Sequence, residues 1–289
     1  MNGRLSRDER LPLPVYLLNI ALILAVVAVM ALPMLNVLAV SFSTRADSET
    51  PGLVLFPANP TVQGYTFIWD YVDLWRPFFN TVFVSVVGTV FHVFLSSMAG
   101  YVLLQKDMPF RRALTTFVLL TMTIPNELTL VSIYAVNKEF GLINTYTGLI
   151  VNGIVSGFSV LLMRNYFQNV PISLAEAAKI DGYPEFSIFT RIYMRLSLPG
   201  IVTIATLELI KRWNNITMVV TLISDMNKTT LPVVLRWLLF DRTSMSGTEY
   251  IFANAKMAAV VITAVPLVAL YFSAQKFFIT GAMLGSVKE

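Results

Sequence analysis

The chain has no cysteine and a single histidine, His92, among its 289 residues. Disulfides and thiolate metal sites are thereby excluded. Charge is also scarce, with 13% of residues Asp, Glu, Lys or Arg, about half the roughly 25% of a soluble domain. A G-x-x-x-x-G-K-[ST] phosphate loop is missing, so the chain carries no nucleotide-hydrolysing site of that kind. There is no strong internal repeat, and inverted-repeat transporter architecture gains no support. A membrane-embedded enzyme fits poorly too: without a Cys/His cluster, nothing reads as a nucleophile–base set.

Apolar residues are abundant. They make up 56% of the chain, at a mean hydropathy of +0.68, and form runs of at least the roughly 18 residues needed to cross a bilayer. The pattern predicts an all-α polytopic membrane protein with about six transmembrane helices. These fall near Val15–Ser41, Phe79–Leu104, Ala113–Tyr134, Tyr146–Met163, Leu198–Ile223 and Met257–Ile279. The first run is longer than a signal-peptide core of roughly 7–15 residues and lacks a small-residue cleavage pattern, so it is expected to persist, bent at Pro33.

The 21 Lys and Arg residues orient the chain. Most lie on the side shared by Arg4, Arg7, Arg10, Arg111, Arg112 and Arg164, which places both termini in the cytoplasm. The basic balance therefore needs no nucleic-acid partner. The expected organisation is a cytoplasmic N-terminus (1–14), a first membrane helix (15–41), a periplasmic loop (42–78) and a core (79–280) with an inner loop at 171–199, then a cytoplasmic tail (281–289). Helix is expected near Tyr65–Leu74. The short LPVVLRWLLF run in the second outer segment is expected to be an interfacial helix.

Two polar notches interrupt the apolar spans. Glu208, Lys211 and Arg212 lie roughly 14–20 Å along a helix starting at Leu198, near mid-membrane. Each charge there costs on the order of 2.5–3.5 kcal/mol, so none is expected to face lipid. The i+3 and i+4 spacings put both bases on the face of Glu208. With Trp213, Asn214 and Asn215 beyond, this face reads either as a buried ion pair or as the wall of a wet passage. The other notch is Pro125-Asn126-Glu127. Pro125 frees backbone carbonyls, and Glu127, with no base nearby in sequence, would pair with Lys211 or Arg212 or belong to the same passage. Trp213, Asn126, Glu127, Asn214 and Asn215 are residue types that recognise sugars. His92, in an apolar run, is expected to serve packing or an interhelix hydrogen bond.

The stretch Pro171–Pro199, PISLAEAAKIDGYPEFSIFTRIYMRLSLP, reads as a helical knob between hydrophobic segments. Ser173 and Glu176 have capping-box spacing, Gly182 suits a helix C-cap, and Pro184-Glu185 suits a second helix start with Pro at its first position. Glu176-Ala177-Ala178 with Gly182 resembles the E-A-A-x-x-x-G loop of binding-protein-dependent ABC import permeases. Gly141–Tyr146 is similar to the family's G-L-x-N-T-Y segment, Trp213-Asn214 to its W-N pair, and Phe277–Glu289 to its closing F-x-x-G-x-x-x-G-x-V-K-G.

Together these resemble the maltose-type carbohydrate permease, nearest in its tail to the branch handling oligosaccharides, including uronate-containing ones. The resemblance implies an ABC type I importer permease. Its loop residues Glu176, Ala177, Ala178, Asp181 and Gly182 would dock on an ATPase, and its passage would be lined by Asn126, Glu127, Glu208, Lys211, Trp213, Asn214 and Asn215. Implied partners are a second permease subunit, two copies of an ATP-binding cassette ATPase, an extracytoplasmic solute-binding protein and an oligosaccharide. The chain would need no cofactor of its own, ATP and Mg being held by the ATPase, and would sit in a bacterial inner membrane. One departure is Arg195, where the family usually has proline, so the helix there is expected to run on through Leu196. The alternative reading is an ion- or proton-coupled secondary transporter using Glu127, Glu208 and Lys211.

Overall fold

The computed structural model describes residues 12–240 and 250–286, with 126, 127, 274 and 276–286 described by backbone alone. All regular structure among the described residues is helical. Two compact units are present, one of Met1–Val72 with Arg242–Ile262, the other of Asp73–Asp241 with Thr263–Glu289.

The first unit begins with α1 (Leu13–Ser41), which Pro12 and Pro14 start and which carries Pro33 inside an unbroken helix. None of its side chains is buried before Ala39, Val40 and Ser41. Short helices α2 (Arg45–Ser48) and α3 (Gln63–Tyr71) follow. Asn36 Nδ2 donates to the Val54 carbonyl at 3.0 Å and the Ser41 hydroxyl meets the Tyr65 hydroxyl at 2.9 Å. The start of the last helix, α15 (Ala253–Ser286), joins them: Ala253 N–H donates to Glu49 Oε1 at 2.9 Å, and Arg45 lies over the rings of Phe67 and Phe252. A carboxylate there satisfies a helix-start donor and matches the partial positive charge of that end.

The second unit is organised on α4 (Trp75–Leu104), a 30-residue helix whose buried face is rich in small and polar residues. Thr81, Ser85, Gly88, His92, Ser96 and Gly100 recur at three- and four-residue spacing, and all are buried. Small residues at this period let backbones approach in membranes, where lipid gives helices little hydrophobic reason to associate. At Gly100 an added Cβ would lie 2.8 Å from the Val160 carbonyl oxygen and 3.0 Å from Arg164 N, so α8 (Gly157–Gln168) needs that glycine.

Three predicted spans are broken. The third is α5 (Arg111–Thr121), a 3₁₀ turn at Asn126–Thr129 and α6 (Leu130–Glu139), divided at Pro125. The fourth is α7 (Tyr146–Val151) and α8, divided where Gly153 takes φ +76°. The 171–199 loop holds α9 (Ile172–Ile180) and α10 (Glu185–Ile188), the latter continuing through a π turn at Phe189–Tyr193 into α11 (Met194–Leu196). The fifth span is α12 (Leu198–Trp213) and α13 (Ile216–Leu222), divided at Asn214-Asn215. Next in the chain comes α14 (Leu231–Phe240), the LPVVLRWLLF helix. Among the described residues three helices, α1, α4 and the Ala253–Ser273 part of α15, are long and apolar enough to cross a membrane alone. A fourth arises if Glu185–Leu196 and Leu198–Trp213, bent by 83°, count as one span. Among the described residues, then, the expected count of six is not met by helices that could each cross alone.

Candidate functional site: a charged cavity and an exposed knob

In the second unit a cavity of about 350 Å³ opens between α4, α6, α7, α12 and α13. Of the predicted passage residues it gathers Glu208, Lys211, Asn214 and Asn215. Trp213 is not in its wall: the indole is buried, edge-on to the ring of Phe78 with centroids 6.2 Å apart. A residue at that helical position points away from the face of Glu208 and Arg212. Side chains of Asn126 and Glu127 lie outside the described residues; their backbone forms the 3₁₀ turn preceding α6. Sequence reading missed Thr81, Ser85, Asn152 and Thr217, which also line the cavity; the small-residue period of α4 was the available signal.

The charges in the wall are gathered around Glu208. Arg212 Nε is 2.8 Å from Glu208 Oε1, and Lys211 Nζ is 3.9 Å from Oε2. Arg212 then turns its other nitrogens to α7, donating from Nη1 to the carbonyls of Leu149 and Ile150 at 3.3 Å and from Nη2 to that of Gly153 at 2.9 Å. A helix that stops inside a membrane leaves its last carbonyls without intrahelical donors, and the guanidinium supplies them. His92 completes the cluster. Its Nδ1 donates to the Gly153 carbonyl at 2.9 Å and its Nε2 accepts from the Ser159 hydroxyl at 2.8 Å, the arrangement a neutral ring satisfies. This is an interhelix hydrogen-bonding role, as its apolar setting implied.

At one end of the cavity's helices the Gly141–Tyr146 segment is a latch. Asn144, at φ +58°, accepts from the N–H groups of Ser224 at 2.6 Å and Asp225 at 3.1 Å. Thr145 caps α7 by accepting from Gly148 N–H, and the Tyr146 hydroxyl donates to Asn80 Oδ1 at 2.7 Å. Each polar residue of that motif thus fixes a neighbouring loop or helix.

The helical knob differs from its predicted capping. Pro171 occupies the N-cap of α9 without a side-chain hydrogen bond, so Ser173 and Glu176 form no capping box. Pro171 starts the helix two residues earlier and places Ser173 inside it. Pro184 likewise sits at the N-cap of α10 rather than its first position, leaving Glu185 there. The turn between follows the sequence closely. Gly182 has φ +79°, its N–H donates to the Lys179 carbonyl at 3.0 Å, and Tyr183 N–H donates to that of Ala178 at 2.9 Å, the paired bonds of a Schellman motif.

The knob is anchored on α4 and α8. Tyr101, Phe167, Phe189 and Tyr193 meet mostly edge to face, at 4.9–6.3 Å. The Tyr101 hydroxyl donates to Glu185 Oε2 at 2.6 Å, and Lys179 Nζ pairs with Oε1 at 2.5 Å. Hydrogen bonds from Lys179 and then from Tyr101 hold the Glu185 carboxyl below its ordinary pKa, and the same bond to Glu185 raises that of Lys179. Of the predicted docking residues, Glu176, Ala177, Asp181 and Gly182 are exposed. Ala178 is not: with Ala175 it faces the protein's own core, where a small side chain lets α9 lie close. Apolar side chains accompany the exposed set, notably Ile180 at 88% exposure and Phe186 at 59%.

The model of the family "Binding-protein-dependent transport system inner membrane component" matches residues 92–281. The polygalacturonan/rhamnogalacturonan transport system permease protein YtcP of Bacillus subtilis (strain 168) is 32% identical over 89% of this chain and 92% of its own length. The arabinooligosaccharides transport system permease protein AraQ of Halalkalibacterium halodurans is 32% identical over 89% and 90%. A bacterial ABC transporter involved in the import of the acidic polysaccharide alginate superposes with a TM-score of 0.83 at 24% identity, covering 95% of this chain and 99% of that one. The chain belongs to the binding-protein-dependent transport system inner membrane components and has the fold of an ABC importer permease.

Proposed function

We propose that this chain is the translocation subunit of an ATP-driven importer that moves an oligosaccharide, including uronate-containing ones, into the cytoplasm by alternating access. The observation that carries this reading is the knob, a rigid helical turn with Glu176, Ala177, Ile180 and Asp181 exposed and its back locked to α4 and α8. A helix pair so fixed moves with the membrane helices when a partner pulls on it. Its apolar exposure is large for a solvated loop.

In this reading the three broken segments each span the membrane, giving six passes with both termini in the cytoplasm. ATP and Mg are bound by two copies of a separate cassette ATPase. A second permease faces this one across the passage, and an extracytoplasmic solute-binding protein delivers substrate in a bacterial inner membrane. Support for the sugar comes from the relatives' transport systems and from the amides beside Lys211 in the cavity. An ion-coupled mechanism loses its motive, since Glu208 is already paired within the chain.

The test is purification of the tagged chain from its native membrane in mild detergent, with mass spectrometry of everything retained. Co-purification of a cassette ATPase and a second polytopic subunit is expected. Recovery alone in several detergents would overturn the reading.

A further inference from the structure

The cavity holds one ammonium that the protein itself leaves underused. Lys211 shares the face of Glu208 on α12, yet 54% of its side chain is exposed, against 6% for Glu208 and 5% for Arg212. Glu208 Oε1 is committed to Arg212 at 2.8 Å. Lys211 reaches the other oxygen only at 3.9 Å, beyond hydrogen-bonding range. Arg212 spends its outer nitrogens on the carbonyls of α7. Among the described residues the lining therefore carries two cations against one carboxylate, and the close ion pair is the one between Arg212 and that carboxylate.

What remains is a positive charge facing a cavity inside the membrane-spanning region, with Val84, Leu149 and Met218 in its walls. Low-dielectric walls strengthen the attraction of such a charge for an anion. The neighbouring amides fit the rest of a sugar. Asn214 Nδ2 donates to the Ile210 carbonyl, which leaves its Oδ1 to accept from hydroxyls. Asn215 Oδ1 accepts from Met218 N–H, which leaves its Nδ2 to donate. A structural lysine would be buried against its carboxylate; this one is held at the limit of contact and turned to the open side.

We propose that Lys211 is the charge-selecting residue of the passage: its ammonium receives the carboxylate of an acidic sugar while Asn214 and Asn215 receive ring hydroxyls. This rests on the saccharide-import reading above. Lys211 sets preference between acidic and neutral substrates of one size, and Arg212 holds the wall.

The test compares uptake of galacturonate and mannuronate trisaccharides, each as free acid and as methyl ester, by cells carrying the complete transporter with wild-type chain, Lys211→Met or Lys211→Arg. The readout is the ratio of acid to ester uptake, so a general loss of assembly cancels. Loss of one charge-assisted contact is expected to lower that ratio about tenfold in Lys211→Met, with recovery in Lys211→Arg. An unchanged ratio in Lys211→Met overturns the assignment of Lys211 and leaves the importer reading standing. Wild-type cells that take up none of the four probes, while the chain co-purifies with its ATPase, overturn the acidic-saccharide reading and with it the role of Lys211.

Discussion

Gly88 and Arg212 occupy one space. A Cβ on Gly88 would lie 2.7 Å from Arg212 Cζ and 2.8 Å from Nε, and closer still to Nη1. The guanidinium crosses the face of α4 only because position 88 has no side chain, and from there it reaches the carbonyls of Leu149, Ile150 and Gly153. Gly88→Ala is therefore expected to destabilise the protein by about 1–3 kcal/mol, the usual cost of overpacking. Thermal unfolding in detergent measures this. Pairing Gly88→Ala with Arg212→Ala should cost less than the sum of the two, because the collision is gone.

Glu208→Gln removes the partner of a buried arginine. Breaking such a pair from one side costs about 3–5 kcal/mol, because the remaining charge is left uncompensated. Reduced accumulation of the assembled protein in membranes is expected, measured by quantitative blotting after mild extraction. Normal levels would place Glu208 in contact with water.

At Gly182 the space around an added Cβ is open, so a substitution acts through the backbone alone. Holding a side chain at φ +79° costs roughly 1–2 kcal/mol, more for a β-branched one. Gly182→Val should abolish transport and loosen the ATPase while leaving membrane insertion intact, and Gly182→Asn should do less. Co-purification and uptake assays separate the two; unchanged uptake in Gly182→Val would remove the docking role.

The Glu185 pair gives a pH dependence of definite sign. Its folded pKa lies below the ordinary value, so its contribution is present above the unfolded pKa and is lost as pH falls through the folded one. Lys179, raised in pKa, keeps its share until pH climbs through its folded value. Both groups are about half exposed, which limits the ion pair to about 0.2–1 kcal/mol. Glu185→Gln should speed hydrogen exchange in α9 and α10 at pH 7. The difference from wild type should shrink as pH falls below the ordinary glutamate range and vanish once pH has passed below the folded pKa of Glu185.

Trp213 tests the corrected position. Truncating a buried tryptophan costs about 3–5 kcal/mol, so Trp213→Ala should impair folding more than substrate preference, with Trp213→Phe recovering much of the loss. A preserved melting temperature with altered uptake would return the indole to the passage.

Much of this was legible in the chain. The apolar runs located α1, α4 and α15, and i+4 spacing located the Glu208–Arg212 pair. Pro125 and Asn214-Asn215 marked two of the three breaks. The third, near Gly153, has no proline or charge to announce it. Its carbonyl donors come from Arg212, 59 residues away, and no local pattern encodes that. The Gly182 turn was readable because one residue's φ decides it, whereas the supposed capping box failed because Pro171 competes for the same helix start. Trp213 was misplaced because an aromatic beside two amides looks the same in sequence whether it faces a cavity or Phe78.

The clamp made by Arg212 also bears on how the chain enters its membrane. Alone in lipid, α12 would expose a carboxylate and two cations, and nothing within it can quiet the broken end of α7. The carbonyl partners of Arg212 lie on α7 and just after it, and its guanidinium crosses Gly88 of α4, all of which are synthesised first. The fifth segment is thus poorly suited to partition by itself and depends on earlier segments staying close to the insertion machinery until it emerges. Sequential insertion follows from that dependence as an expectation, with the second and fourth segments in place before the fifth is admitted.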